Sequence, residues 1–305
     1  MAEKENQHTV PATFLRQFEI ENYHLPNHVW CVELKNQYSK KPTRKGVNSK
    51  IFKRKHFYDV NENDDKLILE NFYAEHIEPT YNDIMTEINC EKNLSEQVRV
   101  YLIQWIMHSN HRTEYTRDNV ARISKWLIEM EQRFNNSKKP KELVSKLSNE
   151  SIEIESQKIA RNAQLSRVLD TMRFEEMIEM YTEELIPKRW MILKTDKHSF
   201  IANDNPGFSL NTSNLNRKQI FNPTIHLNHP SFNYLVLSPN HCLFIEPFRK
   251  DDPIHLNALN IEIKYQNVSE ETVDSINYGT YSTATKYLIS HDLESITKWS
   301  NIELR

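Results

Sequence analysis

Arg112 carries the first chemical argument. If the helix bearing Val98, Tyr101, Leu102, Trp105 and Ile106 runs on, Arg112 falls on the same stripe as Val98, Tyr101, Trp105 and Ser109. A guanidinium on a core-facing stripe needs a counter-charge, because a buried charge left unpaired costs about 3–5 kcal/mol. Its planar fork suits a carboxylate bidentately, and Glu78 and Asp204 are the candidates. One reading is an Arg–carboxylate cluster that binds a phosphate or an acidic group. The other is a structural ion pair, or an Arg on an exposed helix end.

His8 precedes the first helix and could serve as a general base, a metal ligand or a helix-start hydrogen-bonding group. Glu78 falls away from the Leu69–Tyr73–Ile77 stripe, although Pro79 resets the helical phase. Asp204 lies in Asn203-Asp204-Asn205-Pro206-Gly207, at the end of a strand-like run. That is where catalytic carboxylates sit, and also where an ordinary Asx turn forms. If His8, Glu78 and Asp204 converge, with Arg112 as electrophilic stabiliser and Arg117 also holding phosphate, they suit general acid/base or metal-assisted hydrolysis. A divalent metal ion is the cofactor such chemistry would use.

The segment from Asn36 to Tyr58 contains no acid. Its bases from Lys40 to Lys55 include Lys53 and Arg54, and Tyr38, Phe52, Phe57 and Tyr58 are interleaved among them. Basic groups neutralise phosphates and aromatic rings stack on bases, so residues 40–55 are a candidate contact for nucleic acid or a nucleotide, with Lys53 and Arg54 as substrate-binding groups. A solvated loop or a lysine-protected edge strand explains the same pattern. The acidic Asp59–Asp65 follows and would offset it.

Thirteen histidines include the close pairs His108/His111, His226/His229 and His24/His28, none with a third ligand at a recognised metal spacing. Cys31 and Cys242 fall inside apolar runs and read as small buried hydrophobes. Ser238 lacks a nucleophile elbow, so covalent catalysis finds little support.

These residues need elements to position them. Val10, Phe14, Leu15 and Phe18 make one face of a short helix after Pro11, and His28–Lys35 and roughly Ile51–Val60 read as strands. From about 66 to 186 the period is helical. One helix carries Leu69, Tyr73 and Ile77, one Val98 to Ile106, and one Val120, Ile123, Leu127, Met130 and Phe134. A long polar helix is expected from Glu150 to Ile186. Strands return at Arg189–Lys194, Ser199–Ala202, Phe232–Leu237, His241–Glu246 and Ile261–Tyr265, with Ser238-Pro239-Asn240 as a hairpin loop. A final helix is expected over Glu270–Ser290. The fold class is therefore α+β. A single domain over 1–305 has a helical subregion at about 66–186, and a mixed or antiparallel sheet is built from the N- and C-terminal strands.

Composition removes whole classes of enzyme. The 305 residues include only three glycines, Gly46, Gly207 and Gly279, where roughly twenty are usual. Neither a P-loop, nor a dinucleotide fingerprint, nor a Gly-x-Ser-x-Gly elbow can be written with them. Net charge is −3 and hydrophobic residues make up 38%, which gives no global pull to polyanions and fits a soluble globular chain. No apolar run reaches the roughly 18 residues of a membrane span, so no membrane partner is expected. The N-terminus has no secretory core, and three scattered cysteines suit a reducing cytoplasm.

Several motifs, in order, resemble the bacterial domain of unknown function family 4238. Gln7-His8-Thr9-Val10-Pro11 with Phe14-Leu15 and Phe18 is similar to its opening His-x-Val-Pro. Glu70 to Glu78 is similar to its helix ending in Ile-Glu. His111-Arg112-Thr113 with Arg117 resembles its Arg-Thr-Pro-x-x-Arg, Glu114 replacing the Pro. Phe200 to Pro206, Leu237-Ser238-Pro239 and Asn277 to Tyr287 complete the pattern. The resemblance spans nearly the whole chain and implies an accessory bacterial protein, with phage defence as one setting, but no established activity. Two functions stand. One is a cytoplasmic hydrolase of a phosphodiester in nucleic acid or a nucleotide. The alternative is a non-catalytic interaction or sensor module of a defence or toxin system, acting through a protein partner or as a homo-oligomer.

Overall fold

The first short segments already bring distant chain together. The computed structural model describes residues 6–21, 24, 26–34, 41–59, 66–137, 148–173, 175–205, 207–211, 221–225, 231–247 and 262–302. Strand β1 (Asn6–His8) leads through Pro11 into helix α1 (Ala12–Arg16), which buries Phe14 and Leu15. Proline fits there because the first-turn N–H has no helical acceptor. Strands β2 (His28–Glu33) and β3 (Thr43–Gly46) form a hairpin, and β4 (Lys53–Lys55) returns to β1.

The helical middle begins with α2 (Ile68–Phe72), which runs into a π-helical turn at Tyr73–Ile77. There Glu78 N–H donates to the Tyr73 carbonyl, five residues back. Pro79 then starts α3 (Thr80–Asn89). Helix α4 (Glu96–Arg112) is capped by Ser95, whose hydroxyl accepts from Val98 N–H. Its stripe of Val98, Leu102, Trp105, Ser109 and Arg112 is buried, as the spacing implies.

Helices α5 (Glu114–Ser137) and α6 (Asn149–Arg173) pair closely, and α7 (Glu175–Leu185) follows. The long helix that the sequence suggests to Ile186 is described as α6 and α7, on either side of residue 174, which lies outside the described residues. The apolar stripe of α5 does not face the core. Ile123, Leu127, Met130 and Phe134 are exposed, with Trp126 beside them, while the small Ala121 and Ser124 are buried. On α6 the buried residues are Ile152, Ser156, Ala160, Gln164, Leu165 and Val168, with Ser156 and Ala160 small. Small side chains allow close helix approach, so the α5–α6 contact selects a different face from the one hydrophobicity marks.

Strands β5 (Trp190–Lys194), β6 (Ala202–Asn203), β7 (Phe208–Asn211), β8 (Phe221–Asn222), β9 (Ser231–Ser238), β10 (His241–Ile245) and β11 (Lys264–Asn267) follow. Helix α8 (Glu270–Thr283), strand β12 (Tyr287–Ser290) and helix α9 (Leu293–Ser300) close the chain. The fold is α+β. The expected joining of end strands is found in a four-stranded sheet, β3-β2-β12-β6, but the strands do not form one sheet. A six-stranded sheet, β11-β5-β10-β9-β7-β8, is built from the second half alone, and β1-β4 is a separate ribbon. In the six-stranded sheet only β11 on β5 is parallel. The β9–β10 hairpin turns at Pro239–Asn240, with the Ser238 hydroxyl accepting from Asn240 N–H.

The expected final helix over 270–290 stops at Thr283. Thr285 and Lys286 donate their backbone N–H groups to the Asp204 carboxylate, both at 2.9 Å, and Tyr287 at 3.5 Å. These amides are thereby withdrawn from helical bonding, and the chain turns into β12. The strand expected at Ser199–Ala202 reaches ladder pairing only at Ala202, and β11 begins its pairing at Lys264, Ile261 lying outside the described residues. The main core runs continuously from Val10 through the helical middle to Ile289. Among the described residues no helix is long and apolar enough to cross a membrane.

Candidate functional site

The β1–β4 ribbon places His8 directly opposite Lys53, and Gln7 opposite Arg54. Arg112, at the last turn of α4, reaches the back of this ribbon. Its Nη2 donates 3.0 Å bonds to both the His8 carbonyl and Glu78 Oε1. The π turn brings Glu78 to this position. An added residue per turn advances the helical phase, so a side chain that plain 3.6-residue periodicity turns outward pairs with a buried arginine. Of the two candidate partners for Arg112, Glu78 is the one engaged, through a single nitrogen rather than a two-nitrogen fork.

Aromatic rings complete the seat. The Arg112 guanidinium lies 4.3 Å from the Tyr73 ring centroid and 5.8 Å from that of Tyr58. Tyr58 Oη donates to the Arg112 carbonyl at 2.8 Å. Burial opposes the charge on Arg112, but Tyr58, Glu78 and Tyr73 outweigh it and raise its pKa. Burial also pushes the Tyr58 hydroxyl up to about 12.

His8 is held neutral. Burial is the largest cause, followed by the charges of Lys53 and Arg112, and together they lower its pKa to about 3. Its Nε2 is buried and has no hydrogen-bond partner among the described residues. His108, on α4, is also lowered to about 3, by burial first and then by His111 and Arg112. Its ring packs on Phe72 and Tyr73.

Asp204 lies across a small cavity from this group. A space of about 20 Å³ is lined by Thr9, Pro11, Trp105, Arg112 and Asp204, among others. Two donors on its lining residues, Arg112 Nε and Trp105 Nε1, have no acceptor among the described residues. The Asp204 carboxylate itself is committed to the backbone of 285–287. Its neighbours behave alike. Asn203 Nδ2 donates to the Thr280 carbonyl, Asn205 Nδ2 to the Thr283 carbonyl, and Asn277 brackets Ser199 and Ile201. Asn203, Asp204 and Asn205 thus fasten the β6 loop to the end of α8. Burial raises the Asp204 pKa, against the backbone N–H groups of Thr285, Lys286, Tyr287 and Asp204 itself, which lower it.

Arg54 and Arg117 are drawn into other contacts. Arg54 forms a two-nitrogen bond to Glu114, at 2.7 and 3.3 Å, and Lys286 reaches the same carboxylate. Arg117 donates to Gln164 Oε1 at 2.5 Å and to the Phe57 carbonyl at 2.7 Å, and it stacks 3.5 Å over the Phe57 ring. Arg117 therefore joins α5 to α6 and the Phe57 turn rather than facing Glu78. Lys53 has no carboxylate partner among the described residues.

Of the seven residues singled out by sequence, the structure gathers His8, Glu78, Arg112 and Lys53 around one ribbon, with Asp204 behind them. Gln7 was missed. Its amide bonds Asp59 and the Tyr58 N–H, and Asp59 in turn bonds His56 at 2.6 Å. The one signal for Gln7 was its place next to His8. Glu114 and Lys286 were missed as well, because nothing local marks them as partners of Arg54.

Among the described residues no three His, Cys, Asp or Glu side chains are placed to hold a metal ion. His226, His229, Tyr38 and Lys40 lie outside the described residues, as does nearly all of the acidic 59–65 stretch. Cys31 and Cys242 are buried in strands, and burial pushes the Cys31 thiol up to about 12. A family model described as "Protein of unknown function (DUF4238)" matches residues 6–294. No curated protein and no solved structure matches the chain.

Proposed function

We propose, for a chain that belongs to the protein family DUF4238, that the β1–β4 ribbon binds a phosphodiester of a nucleic acid or nucleotide, and that His8 assists its hydrolysis. The observation that supports this is the positive charge about His8, where Lys53 has no carboxylate partner among the described residues. Lys53 lies opposite it and Arg112 behind it, and both act with burial to keep the imidazole neutral. A bound phosphate would neutralise that field and raise His8 toward the range in which an imidazole accepts a proton from an attacking water. Lys53 would carry the negative charge of the phosphoryl oxygens. Glu78 would hold Arg112 in place, and Asp204 is the support that fastens the cavity wall. Access to the buried Nε2 requires the ribbon to part, and a two-stranded pair is the sheet least able to resist that.

Fluorescence anisotropy with a labelled single-stranded oligonucleotide, read across a salt series, tests the binding half. Lys53→Ala is expected to reduce the slope of log K against log salt by about 1. Cleavage of the same oligonucleotide, with magnesium or manganese added, tests the chemistry. His8→Asn should lower the rate about 100-fold or more at unchanged thermal melting. No salt-dependent binding, or full activity in His8→Asn, would sink the reading.

A second reading is favoured by one observation, the exposed Ile123, Trp126, Leu127 and Met130 on α5. Exposed apolar stripes mark contact surfaces, and in this reading the protein is a non-catalytic interaction module. Trp126→Glu would then abolish association while leaving oligonucleotide binding intact.

A further inference from the structure

The six-stranded sheet has two unlike faces. On β9 and β10 the pairing sets Phe244 opposite Tyr234 and Cys242 opposite Val236, and on β7 it sets Phe208 opposite Tyr234. Alternation puts these side chains on one face, while Leu235, Leu237 and Leu243 face the other way. On the first face an aromatic row crosses the strands. Phe221 meets Phe208 edge-on at 5.8 Å, Phe208 stacks on Tyr234 at 4.9 Å and 17°, and Tyr234 meets Phe244 at 5.0 Å. Helix α8 covers only part of this row. Between them is a cleft of about 590 Å³, within the range of about 300–1,000 Å³ typical of small-molecule sites.

The other wall of the cleft is polar. Gln266, which the β11–β5–β10 register sets on the same face as Phe244, lines it, and its exposed carboxamide has no hydrogen-bond partner among the described residues. Its amide offers both donors and an acceptor. Among the described residues the one charged group lining the cleft is Glu246, which is bonded to Arg189 at 3.2 Å, and no Lys or Arg of them lines it.

We propose that this cleft binds a neutral planar heteroaromatic group, a nucleobase presented as a nucleoside. One face of the base packs on the half-buried rings of Tyr234 and Phe244, and its edge meets the carboxamide of Gln266. The charge of the lining sets the selectivity. A nucleoside monophosphate would bring a dianion to a cleft with no cationic side chain among its described lining residues, so the phosphate loses hydration without a counter-charge and weakens binding instead of strengthening it. This site is separate from the β1–β4 ribbon and does not rest on the phosphodiester reading.

Titration calorimetry with adenosine, guanosine, cytidine and uridine, and with their 5′-monophosphates, tests the proposal on the full chain. At least one nucleoside should bind saturably, and its monophosphate at least tenfold more weakly. Phe244→Ala should weaken nucleoside binding at least tenfold. Gln266→Ala, on an exposed strand position, should weaken it several-fold, and it keeps the test valid if the Phe244 variant fails to fold. Lys53→Ala should leave nucleoside affinity unchanged, so loss of the ribbon reading would not remove this one. No saturable binding by any of the four nucleosides overturns the proposal. So does a monophosphate that binds as tightly as its nucleoside, or nucleoside affinity unmoved by Gln266→Ala.

Discussion

Arg112 is more than nine-tenths buried, yet its charge is met by one carboxylate oxygen, one carbonyl and two aromatic faces. Removing the carboxylate leaves a buried cation uncompensated. Glu78→Gln should therefore destabilise the fold by about 3 kcal/mol, as read from urea unfolding. Arg112→Lys should cost a comparable amount, because an ammonium point charge cannot reproduce the flat contact with Tyr73. Asp204 makes a different prediction. Asp204→Asn keeps the shape but can turn an NH₂ toward the amides of 285–287, and each amide left without an acceptor costs about 1–3 kcal/mol. The loss should appear as faster hydrogen exchange at 285–287, while an Asp204 acting only in chemistry would leave that exchange unchanged.

Among the elements, packing around a glycine decides the geometry of α8. A Cβ on Gly279 would sit 2.4 Å from the Phe208 ring, closer than side chains ever approach. Gly279→Ala should cost about 1–3 kcal/mol, and Phe208→Leu in the same chain should recover part of that loss in a double-mutant cycle. The element scale also shows what the residue order carried. The α4 stripe, the β9–β10 hairpin and the helical middle were legible, since each is set by local periodicity or a local turn. The joining of N- and C-terminal strands in one sheet was legible as well, but the division into three sheets was not, because pairing is a tertiary choice that strand patterns alone do not encode. The end of α8 at Thr283 was hidden for a related reason. Its sequence continues a helical pattern, and a carboxylate some eighty residues away takes the amides. Glu78 was suggested as the partner of Arg112 on charge alone, while its outward phase was misleading until the π turn at Tyr73–Ile77 corrected it.

Across the whole molecule, three histidines set the response to acid. His8 and His108 are held near 3 and His111 near 4, burial being the largest cause for each. Their folded values lie below the unfolded 6.5, so the unfolded chain binds more protons between those limits. Stability is accordingly full above about pH 6.5 and falls as the pH drops toward 3, by up to about 1.4 kcal/mol per pH unit for each histidine. Burial pushes Glu114 up, but hydrogen bonds from Arg54 and Lys286 bring it below its ordinary value. Its contribution persists until the medium is more acidic than the usual glutamate range. Urea midpoints at pH 5 and pH 7 should differ clearly, and His108→Leu should make the difference smaller by about one histidine's share.

The pairing of β2 with β12, Glu33 facing Tyr287, also has a consequence for the chain while it is being made. At about 5–20 residues per second, β2 leaves the ribosome on the order of ten seconds or more before the strand that covers it exists. Its partner on the other side, β3, emerges almost at once, so one hydrogen-bonding edge stays open throughout. Nascent chains stalled before residue 287 should be captured by holdase chaperones, and chains released after β12 should not.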